Sequence, residues 1–361
     1  MHKVSLAVIG TGTVGGNLIG QLAGAGDRLR SSGVDLRTVC VADVDAVLID
    51  PVGISEPVLA NIASGKMKVS AISGAAGHIG LLDITARLKP LFGSDLIVAD
   101  ATATSALEAH LAWLAAGWRV ATANKKPVTG SSDDYDRLMA ARGPGGLPRY
   151  RHETACGAGL PVIGAIQDML MSGDRILEVR AAVSGTLGFI FSACGEGREF
   201  ARAVAEAKAQ GFTEPDPRDD LSGLDVARKA LILGRLAGRR LELADINVES
   251  LVPVNLKDCP VEDFLARLPF ESGGIDSRMK DARSRGLSLR YLLTVSQSGV
   301  RVGIEGGGQG DPFASLRGPE NLFVIRTSRY DQTPLMIRGP GAGGAVTAAG
   351  LFADIMRLFV C

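Results

Sequence analysis

The chain opens on an almost unbroken apolar run, VSLAVIG, the pattern of a strand buried on both faces. A glycine turn follows, and from about Val14 the apolar positions take up helical spacing. LRTVCVAD, DLIVADAT and WRVATAN repeat the strand pattern. Between the last two, SALEAHLAWLAAG reads as a helix stopped by Gly117. SSDDYDRLMAAR begins with a serine or aspartate suited to cap a helix and then keeps helical spacing. Strand and helix alternate, which predicts a parallel sheet covered on both faces. The pattern over roughly 50–90 is mixed and is read as a helical excursion.

GPGGLP, from Gly143 to Pro148, is the sharpest break in the periodicity and marks a domain boundary. Beyond it GLPVIGAIQDMLMSG predicts a helix and RILEVRAAVSG a strand, with helices following near 199–210 and 224–237. LSLRYLLTVS, RVGIEG, NLFVIRTSRY and TPLMIRG are short strand patterns separated by turns such as GGGQGDP, so antiparallel pairing is expected. The chain closes on GPGAGGAVTAAGLFADIMRLF, a glycine-rich turn opening a helix over 343–360. The predicted class is α/β. A doubly wound, parallel Rossmann-type domain covers 1–150 and is completed by the C-terminal helical segment, 336–361. An α+β substrate and dimerisation domain with a mixed sheet covers 151–335.

Composition narrows the function. A formal net charge of zero, with no Lys/Arg block, points away from nucleic acid. No apolar run reaches the ~18 residues of a membrane span, and the opening strand runs straight into a glycine loop, unlike a signal peptide. The five cysteines (Cys40, Cys156, Cys194, Cys259, Cys361) are scattered and never in CxxC spacing, which argues for a reducing, cytoplasmic setting and against disulfides or structural zinc. His2, His78, His110 and His152 show no metal-binding spacing.

GTGTVGG places Gly10, Gly12 and Gly15 as GxGxxG between a strand and a helix. The first glycine permits the tight turn, the second lets a pyrophosphate approach, and the third lets helix and strand pack closely. With Thr13 and Val14 at the helix start, these residues are the candidate dinucleotide cradle, since free N–H groups and the helix dipole favour an anion there. Asp43 ends the second strand. A carboxylate there accepts ribose hydroxyls and repels a 2′-phosphate, which favours NAD over NADP. A turn or helix-cap aspartate explains the same residue without a ligand, and its distance from the loop exceeds the usual ~20 residues.

The stretch TEPDPRDDLSGLDVARK, Thr213 to Lys229, crowds carboxylates ahead of an apolar helix. Asp225 and Lys229 are one helical turn apart on one face, with Ile232 and Leu236 further along that side. Such a pair is commonly solvent-exposed. An apolar surround instead gives a poorly hydrated lysine with a carboxylate beside it. Pro215 and Pro217 stiffen the approach and hold Glu214, Asp219 and Asp220 near the helix start, where anions also serve structure alone. The functional reading is a pocket for a small zwitterion, with carboxylates for its ammonium.

This segment resembles the signature of homoserine dehydrogenases. Ala207, Gly211, Phe212, Thr213, Asp216, Pro217, Asp220, Leu221, Gly223, Asp225 and Lys229 all fall on its fixed positions. TANKKP, ETACGAGLPVI, VSGTLGFI and the closing GAGGAVTAAG extend the resemblance across nearly the whole chain. It implies interconversion of L-homoserine and L-aspartate 4-semialdehyde with NAD or NADP, in threonine and methionine biosynthesis. It also implies a homodimer through the substrate domain's sheet.

Residue by residue, the resemblance makes Lys229 the catalytic lysine, Asp225 its partner, and Lys125 a second active-site lysine near nicotinamide and substrate, with Lys126 the weaker claimant. Glu214 and Asp220 bind the substrate's ammonium, and Gly185 and Thr186 line its pocket. Thr102 and Gly343 lie against the cofactor. Backbone carbonyls of Glu153, Cys156, Ala158 and Leu160 match a sodium loop found in part of the family. An unperturbed lysine, with a pKa of ~10.4, trades protons poorly at neutral pH. Burial and a neighbouring ammonium are what change that. Both lysines stay open as proton carriers. Phe212 stands where relatives often carry tyrosine, and Cys156 where they often carry valine. The resemblance includes neither a fused aspartate kinase nor a C-terminal regulatory extension, so threonine control through such a domain is not expected.

Three alternatives compete. A phosphorylating semialdehyde dehydrogenase would use Cys156 as nucleophile, with His152 nearby. A nicotinamide-sensing regulator would bind cofactor without turnover. A paralogue would keep the signature and act on another hydroxy amino acid.

Overall fold

A computed structural model describes residues 2–359, so Cys361 lies outside the described residues. The chain forms two compact units, 1–159 together with 343–361, and Leu160–Ala342.

The first unit runs β1 (His2–Ile9), α1 (Thr13–Ser31), β2 (Val34–Ala42), β3 (Ala46–Ile49), α2 (Glu56–Ala63), β4 (Ala76–Gly77), α3 (Leu81–Phe92), β5 (Ile97–Asp100), α4 (Leu107–Ala115), β6 (Arg119–Thr122), α5 (Ser132–Met139), β7 (Tyr150–Arg151) and α6 (Thr154–Gly157). Its seven strands lie in the order β4-β3-β2-β1-β5-β6-β7. From β2 to β7 every neighbouring pair is parallel. β3 and β4 add an antiparallel edge. The mixed pattern over 50–90 thus hides α2, α3 and the short β4, just after β3. Asp43 makes the reversal into β3, its Oδ1 accepting the N–H groups of Asp45 (2.8 Å) and Ala46 (2.9 Å). Because the chain leaves β1 for β2 on one side and resumes at β5 on the other, the strand order switches beside the C-terminal ends of β1 and β5, where open α/β sheets bind ligands.

The second unit holds α7 (Val162–Met171), β8 (Ile176–Ala182), α8 (Gly185–Gly195), α9 (Phe200–Ala209), α10 (Pro217–Leu221), α11 (Leu224–Leu236), β9 (Asn247–Val248), α12 (Val261–Glu271), α13 (Gly273–Ser284), β10 (Ser288–Ser296), β11 (Gly299–Gly307), β12 (Glu320–Thr327) and β13 (Leu335–Pro340). Its sheet has the order β13-β12-β8-β10-β11-β9. β8 pairs antiparallel with both β10 and β12, and only β9 is parallel to its neighbour, β11. Period-two alternation sorts the faces. Val179, Ala181, Leu293, Val295, Phe323 and Ile325 are buried, and α8 and α11 pack on the sheet. Between them Glu178, Arg180, Glu305 and Arg326 make ion pairs, Arg180–Glu305 at 3.2 Å and Arg326–Glu178 at 3.4 Å.

The chain then returns to the first unit as α14 (Gly344–Phe359). Leu351, Ile355 and Leu358 join Leu6, Val8, Leu18, Ile19 and Ile97 in one core. At about 1.5–3 kcal/mol for each fully buried aliphatic side chain, α14 is an integral part of that core. The seams differ from those read at 150/151 and 335/336. β7 pairs with β6 and α6 packs on α14, which keeps 150–159 in the first unit. β13 pairs with β12, which keeps 335–340 in the second.

A buried acidic pair also ties α14 down. Asp354, 1% exposed, accepts the Glu153 N–H at 2.8 Å. Arg357 lies 3.2 Å from Glu153 Oε2 and 3.4 Å from Asp354 Oδ1. Burial pushes the Asp354 carboxyl up to about 6. Its folded-state pKa therefore exceeds its unfolded one, so the folded state binds the proton better between pH 4 and 6, and ionising Asp354 costs stability above that window. Asp354→Asn should accordingly melt above the wild type at pH 7–8, by up to about 3 kcal/mol. The gap should shrink to about half at pH 5 and close near pH 4, below the unfolded-state value; a gap that is constant with pH would remove the titration from the account.

Candidate active site

The glycine loop follows β1 directly. Gly10 has φ 96°, and a Cβ there would sit 3.0 Å from the Ala101 backbone beyond β5. A Cβ on Gly15 would overlap the Gly10 carbonyl oxygen. A Cβ on Gly12 would meet no protein atom within 4 Å. The α1 N-terminus has neither a side-chain cap nor an acidic residue in its first turn. Open space over Gly12, beside uncapped N–H groups, is what a pyrophosphate requires, so the loop fits a dinucleotide. Val14 is half-buried, while Gly12 and Thr13 face solvent. Gly343, at φ 129°, precedes Gly344, which packs on Thr13 and Asn17 of α1, so the last glycine turn lies beside this helix start. Asp43 Oδ2 lies 3.5 Å from Thr11 Oγ1, while Oδ1 serves the turn. It is thus a turn aspartate whose second oxygen borders the glycine loop.

Thr102 and Lys125 sit on the loops after β5 and β6. Thr102 donates its N–H to Asp100 Oδ1 at 2.9 Å. Lys125 is half-buried and Lys126 exposed. Periodicity gave no sign of the polar core beneath. Asp100 and His110 are completely buried, with His110 Nε2 2.9 Å from Asp100 Oδ2 and His110 Nδ1 2.9 Å from Tyr150 Oη. Burial alone would raise the Asp100 carboxyl. Hydrogen bonds from His110 and Thr102 outweigh it and hold the group below the usual carboxylate range. The available signal was an aspartate ending an apolar strand run.

In the second unit, the 207–229 segment divides by role. Gly211, at φ 74°, closes α9, and Phe212 N–H bonds to the carbonyl of buried Ala207 at 2.9 Å. Asp216 caps α10 by accepting Arg218 N–H at 3.0 Å, with Pro217 in the first helical position. Arg218 grips Asp216 at 2.7 Å and the carbonyls of Leu256, Lys257 and Cys259, and holds the Asp216 carboxyl below its ordinary range. Gly223, at φ 74°, lies where any Cβ would overlap the Tyr291 hydroxyl. These residues shape the chain.

Asp220, Asp225 and Lys229 are left to present polar chemistry. Asp220 Oδ1 accepts from Thr186 Oγ1 at 2.8 Å, and Oδ2 accepts the Glu214 N–H at 2.8 Å. The Thr186 hydroxyl also lies 2.5 Å from the Phe212 carbonyl, and its single proton serves one acceptor at a time. The side chains of Glu214 and Asp219 are exposed. Phe212 stacks 5.0 Å from Phe189, an apolar contact that needs no hydroxyl. Lys229 is 12% exposed, its Nζ 3.0 Å from Asp225 Oδ2 and 2.6 Å from the Val183 carbonyl. Val183 had no signal in sequence because a carbonyl acceptor is the same in every residue. Ser184 then caps α8 by accepting Leu187 N–H, and a Cβ on Gly185 would press on Pro319 at 3.3 Å. Residues 183–186 therefore bring the lysine pair and the Asp220 cluster to one strand end.

The 153–160 stretch is less specific. Ala158, at φ 53°, is the single non-glycine residue with positive φ among the described residues, and the Leu160 carbonyl accepts Val162 N–H at 2.9 Å. Cys156 is 1% exposed inside α6. Burial holds His152 down to about 4, and its ring nitrogens have no hydrogen-bond partner. A neutral imidazole and an enclosed thiol do not make a thiolate–imidazolium pair. No group of three or more His, Cys, Asp or Glu placed for a metal occurs among the described residues.

Comparison with known proteins decides the family. The homoserine dehydrogenase family model matches residues 161–356, more than half the chain. The chain belongs to the homoserine dehydrogenase family. It is 34% identical to the homoserine dehydrogenase of Schizosaccharomyces pombe over 99% of this chain and 95% of that protein. It is 38% identical to the maize chloroplastic bifunctional aspartokinase/homoserine dehydrogenase 2 over 99% of this chain. There it spans about two fifths of the relative's length, 39%. The fold matches that of a hyperthermophilic archaeal homoserine dehydrogenase in complex with NADPH, with a TM-score of 0.76 at 23% identity, covering 99% of this chain and 98% of that one. The family model's match takes in the whole 207–229 segment. No helix among the described residues is long and apolar enough to cross a membrane.

Proposed function

We propose that the chain interconverts L-homoserine and L-aspartate 4-semialdehyde by hydride transfer with NAD or NADP, within threonine and methionine biosynthesis. The observation that carries this reading is the Lys229 ammonium, almost withdrawn from water and held by Asp225 and the Val183 carbonyl. An ammonium has three N–H donors. Two are engaged, which leaves one for the oxygen on the substrate's C4. When bound, the nicotinamide supplies or accepts the hydride. Lys229 gives the C4 oxygen its proton or takes it away, Asp225 orients the lysine, and Lys125 is the second lysine of the reaction. Asp220, with lone pairs to spare beyond its two bonds, and Glu214 take the substrate's ammonium, while Gly185 and Thr186 line its pocket.

Gly10, Gly12, Thr13, Val14, Gly15, Thr102 and Gly343 hold the dinucleotide. A relative solved with NADPH supports nicotinamide binding in general. The second carboxylate oxygen of Asp43, which borders the glycine loop at Thr11, supports NAD as the preferred form. The reading extends to a cytoplasmic homodimer. It also takes the carbonyls of Glu153, Cys156, Ala158 and Leu160 as sodium ligands, supported by the left-handed turn at Ala158.

The test follows NADH and NADPH absorbance with homoserine, then with serine, threonine and longer hydroxy amino acids. Homoserine should be oxidised with the highest kcat/KM. Faster turnover of another hydroxy amino acid would replace the substrate while leaving the chemistry. Cofactor choice is tested separately by Asp43→Asn, which keeps the oxygen that forms the turn and removes the charge. Its NAD-over-NADP ratio of kcat/KM should fall about tenfold, by loss of repulsion against the 2′-phosphate. An unchanged ratio takes that role from Asp43.

A further inference from the structure

We infer that Asn124 is a positioning residue, whose carboxamide joins the loop bearing Thr102 to the loop bearing Lys125 so that the two stay in register; this rests on the function proposed above. β5 and β6 are parallel neighbours, and each ends on a polar residue turned into the same network. Asp100 closes β5, and its Oδ2 lies 3.2 Å from the hydroxyl of Thr122, which closes β6. That hydroxyl oxygen accepts the Asn124 N–H at 2.9 Å.

The Asn124 side chain, 3% exposed, then makes three bonds. Nδ2 donates to the Thr104 carbonyl at 2.9 Å and to Thr102 Oγ1 at 3.3 Å. Oδ1 accepts the Lys126 N–H at 3.1 Å. The lysine between is bracketed on both sides, and its own carbonyl accepts from Thr129 N–H (3.1 Å) and Thr129 Oγ1 (2.9 Å). The backbone of Lys125 therefore has little freedom of its own. Its position is set by Asn124 against Thr102, across the C-terminal edge where the dinucleotide is proposed to lie. A buried amide left unmet is costly, so each of its bonds holds the others in place.

Reacting groups misplaced by about an ångström lose rate steeply, whereas binding through a separate loop is spared. Asn124→Ala should lower kcat about 30- to 100-fold. The NADH dissociation constant, read by fluorescence, should change less than about fivefold, because the glycine loop is untouched and Thr102 loses only its 3.3 Å bond to Asn124. Asn124→Asp keeps the Lys126 bond and sets an acceptor against the Thr104 carbonyl, so it should show the same split. It carries the test if the alanine variant fails to fold. The decisive measurement is a cycle with Lys125→Ala. In that background Asn124→Ala should cost less than about threefold more. An equal cost in both backgrounds, or a loss confined to NADH affinity, overturns the inference while the proposed reaction stands. Full activity of Lys125→Ala alone removes the role of Lys125, and with it this inference.

Discussion

Lys229→Ala should lower kcat for homoserine oxidation by about 10²- to 10⁴-fold, the range that a positioned proton donor or acceptor contributes. The fold should survive. Asp225 is well exposed, so its carboxylate stays hydrated when the lysine is gone. The Val183 carbonyl loses one hydrogen bond, worth about 1 kcal/mol. Lys229→Met separates chemistry from packing, since it restores the buried methylenes without an ammonium. It should be as inactive as the alanine variant and melt closer to the wild type. Either variant retaining a tenth of the wild-type kcat would mean that the C4 proton passes through another group.

The second large effect is a contrast between two glycines of one loop. Gly15→Ala puts a methyl against the Gly10 carbonyl oxygen, which is backbone and has no rotamer to yield. The β1–α1 packing must open, so the variant should lose NADH binding together with much of the first unit's stability. Gly12→Ala has no such clash, because its methyl meets nothing within 4 Å, and its backbone (φ −63°, ψ −164°) is open to any residue. Its melting temperature should stay near wild type while NADH affinity falls about 10- to 100-fold, since the methyl takes the space in which the pyrophosphate is proposed to lie. Titration of both variants with NADH, alongside thermal unfolding, reads the two effects apart. Wild-type affinity in a folded Gly12→Ala protein would place the phosphates elsewhere.

The split within the 207–229 segment bears on such variants. Asp216, Pro217, Gly211 and Gly223 place the chain, whereas Asp220 bonds Thr186 and the Glu214 N–H, and Lys229 bonds Asp225 and the Val183 carbonyl. Loss of activity at the first group would report on shape, and at the second on chemistry. Sequence spacing cannot separate the two, because a cap aspartate and a ligand aspartate look alike until their partners are known.

What could be read along the chain was whatever depends on neighbours a few residues apart. The buried strands β1, β2, β5 and β6, the serine-capped α5, the amphipathic α11, the glycine loop and the spacing of Asp225 from Lys229 all have their cause within one helical turn or one strand. Other features have causes distant in sequence and left no local trace. β3 exists because Asp43 turns the chain back on β2. α8 is apolar on every side and carries glycines, so burial between neighbours rather than periodicity makes it helical. α12 encloses Pro269 and α13 begins on two glycines, both poor helix signals that tertiary packing overrides. The Asp100–His110–Tyr150 core, the Asn124 brace and the Val183 carbonyl beneath Lys229 likewise join residues brought together only by the sheets. Backbone acceptors and buried polar partners carry no mark in composition or period, and folding alone gives them their neighbours.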